Sequence, residues 1–197
     1  MGNFWFFLEQ GFFHVLDWSA YDHVLFFIVL AIPYSLKQWK SLLTLVTIFT
    51  IGHTLSLALA AFKIIQVNGS IIELLIPVTI IATAIANIFR NKTVVDPKTN
   101  WTHWVATAVF GIIHGFGFST LFNMMTASAT SKGFLLIAYT LGIEFAQLVI
   151  VSAIVLISLF TISIVGLKLR HWILIVSVLV IVRIIPILYD AFGALSI

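Results

Sequence analysis

The sequence contains no cysteine, which excludes disulfide frameworks, thiolate metal sites and iron–sulfur clusters. Charge is nearly as scarce: Lys, Arg, Asp and Glu make up 9% of the 197 positions, against roughly 25% in ordinary soluble domains. A soluble fold of this size could not cover itself with so few charges, whereas lipid requires no such cover. The strict apolar–polar alternation of membrane barrel strands is missing as well; the apolar runs are continuous, as over 71–89 and 143–167. No glycine-rich phosphate loop followed by Lys-Ser or Lys-Thr occurs, which argues against ATP hydrolysis by this chain. The N-terminal stretch Met-Gly-Asn-Phe-Trp-Phe-Phe-Leu-Glu has no basic n-region and no small-residue cleavage site, so it does not read as a cleavable secretory signal. The net charge of +3 comes from basic residues standing singly between apolar runs, and it does not indicate a nucleic-acid partner.

What is present is apolar: 61% of residues, with a mean hydropathy of +1.17. In a bilayer every backbone polar group must be paired internally, so continuous runs of about 20 apolar residues read as helices that cross it. The expected fold is an all-α, polytopic integral membrane bundle of about six spans, a single transmembrane domain over 1–197. Spans are expected near 20–38, 42–62, 71–90, 102–125, 134–164 and 171–189. The first is the least regular, with Asp22 and His23 in its opening turn and Pro33 near its end. The fifth exceeds a straight crossing and should tilt, kink or protrude. Residues 3–16 are apolar and aromatic but short, with Glu9 among them, and read as an interfacial or re-entrant segment, a seventh span being the alternative. Six spans place Lys37, Lys40, Arg90, Lys92, Lys98, Lys168 and Arg170 on one side and Lys63 and Lys132 on the other. The positive-inside rule then puts both termini outside, in the periplasm if the membrane is a bacterial inner membrane. Trp39, Trp101, Trp104 and Trp172 fall near the cytoplasmic ends, where an aromatic belt belongs.

Ionisable groups inside spans are costly and are functional candidates by default. Four places hold them: His14, Asp17, Asp22 and His23 leading into the first span; His53 in Phe-Thr-Ile-Gly-His-Thr; His114 in Phe-Gly-Ile-Ile-His-Gly-Phe-Gly-Phe-Ser119; and Glu144 in Gly-Ile-Glu-Phe-Ala-Gln147. Glu73, near the outer start of the third span, is a fifth. Counting along the helices puts His53, His114 and Glu144 roughly 15 Å deep. His14, Asp17, Asp22 and His23 are expected at the outer surface, so the groups would form a column from the mouth to mid-membrane, with little in the cytoplasmic half beyond Asn87, His103 and His171. Thr47, Thr50, His53 and Thr54 share one helical face, as do Thr140, Glu144 and Gln147. Gly111 and Gly115 form a small-xxx-small pair that lets another helix approach beside His114. Plainer roles exist for several of these residues. Asp17 suits an N-cap and Asp22 the positive end of a helix dipole, Glu73 lies close enough to the interface to be solvated, and a lone membrane histidine often bonds a neighbouring helix.

Imidazole and carboxylate without thiolate suit nickel, zinc, cobalt, iron(II) or manganese better than copper(I). Met124 and Met125 alone do not make a copper site. The four segments, in this order from about Gly11 to Leu148, resemble the HupE/UreJ family, small polytopic membrane proteins of hydrogenase and urease accessory systems that are regarded as nickel permeases. The first segment is also similar to the His-x4-Asp-His signature of the wider nickel/cobalt permeases, with three more residues between His14 and Asp22. The resemblance implies passage of a divalent ion, nickel first among the candidates. In that reading His14, Asp17, Asp22 and His23 capture the ion and His53, His114 and Glu144 pass it inward. Gln147 and Thr50 assist, and Glu73 joins the outer site. The partners implied are the lipid bilayer and the ion, with a homo-oligomer allowed. Two other classes use the same residues: an intramembrane zinc-type hydrolase aided by Ser119 or Ser56, and a haem-binding electron carrier with His53 and His114 as axial ligands. A metal sensor or an assembly factor is a further alternative.

Overall fold

The computed structural model describes residues 2–17, 21–90, 101–127, 129 and 131–195. All regular structure among them is helical. In chain order the helices are α1 (Gly2–Val15), α2 (Asp22–Ala31), a 3-10 turn (Leu36–Gln38), α3 (Trp39–Ala61), α4 (Gly69–Phe89), α5 (Trp101–Met125), α6 (Lys132–Ser163) and α7 (Leu169–Leu195). The last five are long and apolar enough to cross a membrane, and their lipid-facing surface carries large exposed apolar side chains from Ile51 to Phe192. This is a membrane protein. α6, at 32 residues, is about 48 Å long and extends beyond a hydrocarbon core of roughly 30 Å.

The expected first span takes a different form. α2 has only 10 residues and stops where Pro33, lacking an N–H, cannot extend it. The missing length comes from α1, the residues expected to be interfacial or re-entrant. α1 runs parallel to α6, with the Phe4 and Phe134 rings 5.4 Å apart near the Lys132 end. Deeper in, a Cβ on Gly11 would lie 2.1 Å from the Tyr139 carbonyl, and one on Gly142 2.0 Å from that of Leu8, so two backbones meet there that only glycines permit. α2 then continues to the opposite end, where the Asn87 side-chain amide donates to the Val29 carbonyl at 2.6 Å and Tyr34 Oη lies 3.3 Å from His103 Nδ1. α1 and α2, about 21 and 15 Å long, together make one broken crossing, and their facing ends bring His14 and the buried His23 within 4.7 Å of each other. Broken helices of this kind mark ion and substrate sites in membrane transporters.

The remaining helices alternate in direction. One end of the bundle holds Lys63 and Lys132; the other holds Lys37, Lys40, Arg90, Lys168 and Arg170 and is here the basic end. There Arg170 closes α4: its guanidinium donates to the Asn87 carbonyl at 3.1 Å and to that of Ile88, satisfying carbonyls that a helix C-terminus leaves open. Both α1 and α7 have their chain-terminal ends at the end opposite the basic one. A second close crossing joins α3 to α5. A Cβ on Gly111 would meet the Phe49 carbonyl at 2.5 Å, and one on Gly115 the His53 carbonyl at 2.2 Å. The small-xxx-small pair therefore does what its spacing suggested.

Candidate metal centre

Three helix features converge on one point: the break between α1 and α2, the α3–α5 crossing and the α1–α6 crossing. His14 ends α1, Asp22 and His23 begin α2, His53 comes from α3 and His114 from α5. The ring centroids of His23 and His114 are 3.8 Å apart, those of His14 and His23 4.7 Å, and His53 lies 6.2–6.3 Å from the other three. Asp22 Oδ1 accepts the His23 backbone N–H at 2.8 Å and stands 3.3 Å from His23 Nδ1, while Oδ2 is 3.6 Å from His114 Nε2.

His23, His53 and His114 are buried, at 1%, 0% and 4% exposure. His14 Nε2, both ring nitrogens of His23 and of His53, and His114 Nδ1 are buried without a hydrogen-bond partner. Buried polar atoms are nearly always satisfied, so lone pairs from four imidazoles gathered beside a carboxylate fit a cation. The ligand atoms fall into two groups, His14·His23·His53 and Asp22·His23·His114, each with its atoms within 4.8 Å of one another. His23 belongs to both.

Aromatic rings close the cluster on both sides. Toward the basic end lie Phe26, Phe49 and Phe110, each at most 1% exposed, with Phe26 stacked on Phe110 at 3.6 Å and Phe110 5.0 Å from His114. On the other side Phe118 sits 4.0 Å from His14 and stacks on Tyr139 at 4.9 Å. The Tyr139 hydroxyl is itself buried without a partner.

This geometry corrects the expected depth profile. His14, Asp22 and His23 are not a separate outer capture site. α1 carries the chain into the bundle before the break, so these residues reach the level of His53 and His114, and a compact cluster replaces the column. Asp17 is exposed in the segment after α1 and belongs to neither ligand group. It does not N-cap α2 either, since Tyr21 holds that position.

Glu144 is placed elsewhere. It accepts the Thr47 hydroxyl at 3.0 Å, in a polar seam between α3 and α6 where Thr50 donates to Gln147 Oε1 at 3.0 Å and Thr54 and Thr140 pair at 3.0 Å. The threonine stripe of α3 thus faces the polar stripe of α6, while His53, expected on that same stripe, lies at its flank and turns to His14, His23 and His114 instead. Glu73 is exposed on α4, outside both ligand groups. Ser119 donates to the Phe116 carbonyl, and Ser56 to those of Gly52 and His53, so both candidate hydrolase serines are tied to their own helices.

Three features escaped the sequence reading. One is Tyr139. The second is the aromatic layer, whose signal was available: a phenylalanine lies one turn toward the basic end from each of His23, His53 and His114. The third is Arg183, a lone charge inside the last apolar run, whose guanidinium lies 4.1 Å over the Tyr21 ring. No curated protein and no solved structure shows significant similarity to the chain. The sequence model of the HupE / UreJ protein family matches residues 1–190, a stretch that contains every residue of the cluster, and the chain belongs to that family.

Proposed function

We propose that the protein carries a divalent transition-metal ion, nickel first, across a bacterial inner membrane, from the periplasmic side to the basic, cytoplasmic side. The observation behind this reading is the pair of ligand groups that share His23. Two ligands on opposite sides of one ion, each about 2.1 Å from it, are only about 4.2 Å apart. An ion held by His14, His23 and His53 is therefore not also held by Asp22 and His114. It changes groups by keeping His23 and exchanging the other two.

A carrier needs sites firm enough to replace the ion's hydration shell yet weak enough to release it, and three-ligand positions sharing a pivot meet that requirement. The all-imidazole group takes the ion without offsetting its charge; Asp22 adds a negative charge in the second group. Transport follows if the aromatic layer of Phe26, Phe49 and Phe110 opens toward the basic end while Phe118 and Tyr139 close the other side. The hydrolase reading is the less favoured one, because Ser56 and Ser119, its candidate assisting groups, bond backbone carbonyls of their own helices and no imidazole.

The test is uptake of Ni²⁺ into proteoliposomes. Wild-type protein should load the vesicles, and His53→Ala and His114→Ala should abolish loading; normal uptake by both variants overturns the assignment. Competition with Zn²⁺, Co²⁺, Fe²⁺ and Mn²⁺ in the same assay identifies the preferred ion.

A further inference from the structure

Two charged side chains outside the cluster lie on the lipid-facing surface of the bundle. Glu144 is half-buried at the rim of the α3–α6 seam, and Arg183 is exposed on α7. Among the described residues neither has an ion-pair partner. The cation–π contact with Tyr21 holds the Arg183 guanidinium beside the helix break without supplying a negative charge. Glu144 has one hydroxyl donor, Thr47, and a carboxylate has room for a bidentate guanidinium besides.

The two groups lie at matching depth. Trp172 Nε1 donates to Ser158 Oγ at 2.9 Å, which fixes the level of α7 against α6. From that contact Arg183 lies eleven residues, and Glu144 fourteen, toward the opposite end, a difference of less than one helical turn.

The surfaces around them also match. On the basic-end side of Glu144 runs a groove of about 370 Å³, lined by Trp39, Leu43 and Val46 of α3 and Leu148, Ser152 and Leu156 of α6. On the basic-end side of Arg183, α7 presents Leu179, Val178 and Ile175 as an exposed ridge. A lipid chain could fill the groove but would leave both charges facing hydrocarbon, where they are costly.

We propose that copies of this chain associate in the bilayer through a head-to-tail contact. The α7 ridge of one copy seats in the α3–α6 groove of the next, and Arg183 meets the next copy's Glu144. Because the two surfaces differ, the contact is heterologous and builds a ring or a row rather than a face-to-face pair.

The absence of native cysteine makes the test direct. With Arg183 level with Glu144, Ile175 falls opposite Ser152, each eight residues toward the basic end. Ser152→Cys and Ile175→Cys protein should form a crosslinked dimer when mixed in one membrane and treated with a short bis-maleimide, and neither variant should crosslink alone. A chain carrying both substitutions should give a ladder beyond the dimer. Arg183→Gln should reduce the mixed crosslink at least several-fold. The exchanged pair Glu144→Arg with Arg183→Glu should recover it if that variant inserts; the cysteine result stands without it. Self-crosslinking by Ser152→Cys alone would show face-to-face pairing and overturn the proposal, as would the lack of any crosslink in the mixture.

Discussion

Two polar regions share the middle of this bundle and α3 contributes to both, yet they are built on opposite terms. On one side of α3, Thr47, Thr50 and Thr54 meet Glu144, Gln147 and Thr140 in side-chain hydrogen bonds of 3.0 Å. From the neighbouring face His53 joins His14, His23 and His114, whose buried ring nitrogens have no such partners apart from the Asp22 ion-pair contacts. Most polar atoms of the seam are satisfied within the protein, Gln147 Nε2 being the exception, and their role is to hold α3 to α6. The cluster leaves its lone pairs free and is closed off by phenylalanines, and its role is to hold something else. Depth in the membrane does not separate the two; the state of the hydrogen-bonding groups does.

The most severe break of this contrast is His23→Ala. Loss of an outer partner of a metal ligand costs about 10–100-fold in affinity, so loss of a ligand common to both groups should exceed that range. His14→Ala and His114→Ala each leave one group complete and remove a single member of the other, and should cost less than His23→Ala. Isothermal titration with Ni²⁺ orders the three. Equal losses at His14, His23 and His114 would mean one undivided site and remove the shared pivot.

Next in size is Gly115→Leu. Even a Cβ there would stand 2.2 Å from the His53 carbonyl and from Ser56 Oγ, so α3 and α5 must part. Overpacking of this kind costs about 1–3 kcal/mol, and it also separates His53 from His114. A lowered unfolding midpoint accompanied by weaker Ni²⁺ binding is expected. Gly133→Leu, where a Cβ would meet nothing within 4 Å, is the control and should change neither.

Much of this arrangement was legible in the sequence, for reasons that are local. Continuous apolar runs gave the long helices, Gly111 and Gly115 gave the close crossing, and the histidines and Asp22 stood out because charged and imidazole groups are rare in apolar spans. The break between α1 and α2 was not legible. A mostly apolar stretch of fourteen residues followed by a polar segment reads equally as a helix lying at the interface or as half a crossing. What decides between these is the fit of Gly11 and Gly142 across 131 positions of chain, a tertiary contact that no local pattern contains. The placement of Glu144 failed for a related reason. Periodicity shows that Thr50, Thr54, Glu144 and Gln147 lie on polar faces, but not which neighbour each face meets.

The smallest expected effects lie in the seam, and they test the contrast from its quiet side. Thr50→Val removes a buried hydroxyl that bonds both the Val46 carbonyl and Gln147. Hydrogen bonds between membrane helices average about 0.6 kcal/mol, and the loss of stability should be of that order. Ni²⁺ affinity should stay within about twofold of wild type, a change of roughly 0.4 kcal/mol. The same should hold for Glu144→Gln, which keeps the shape of the side chain and its acceptor for Thr47. If Glu144→Gln instead weakens Ni²⁺ binding as much as His53→Ala does, the two regions are one pathway: the ion then leaves the imidazoles for the carboxylate in the α3–α6 seam, and hydrogen-bond satisfaction ceases to be the feature that distinguishes them.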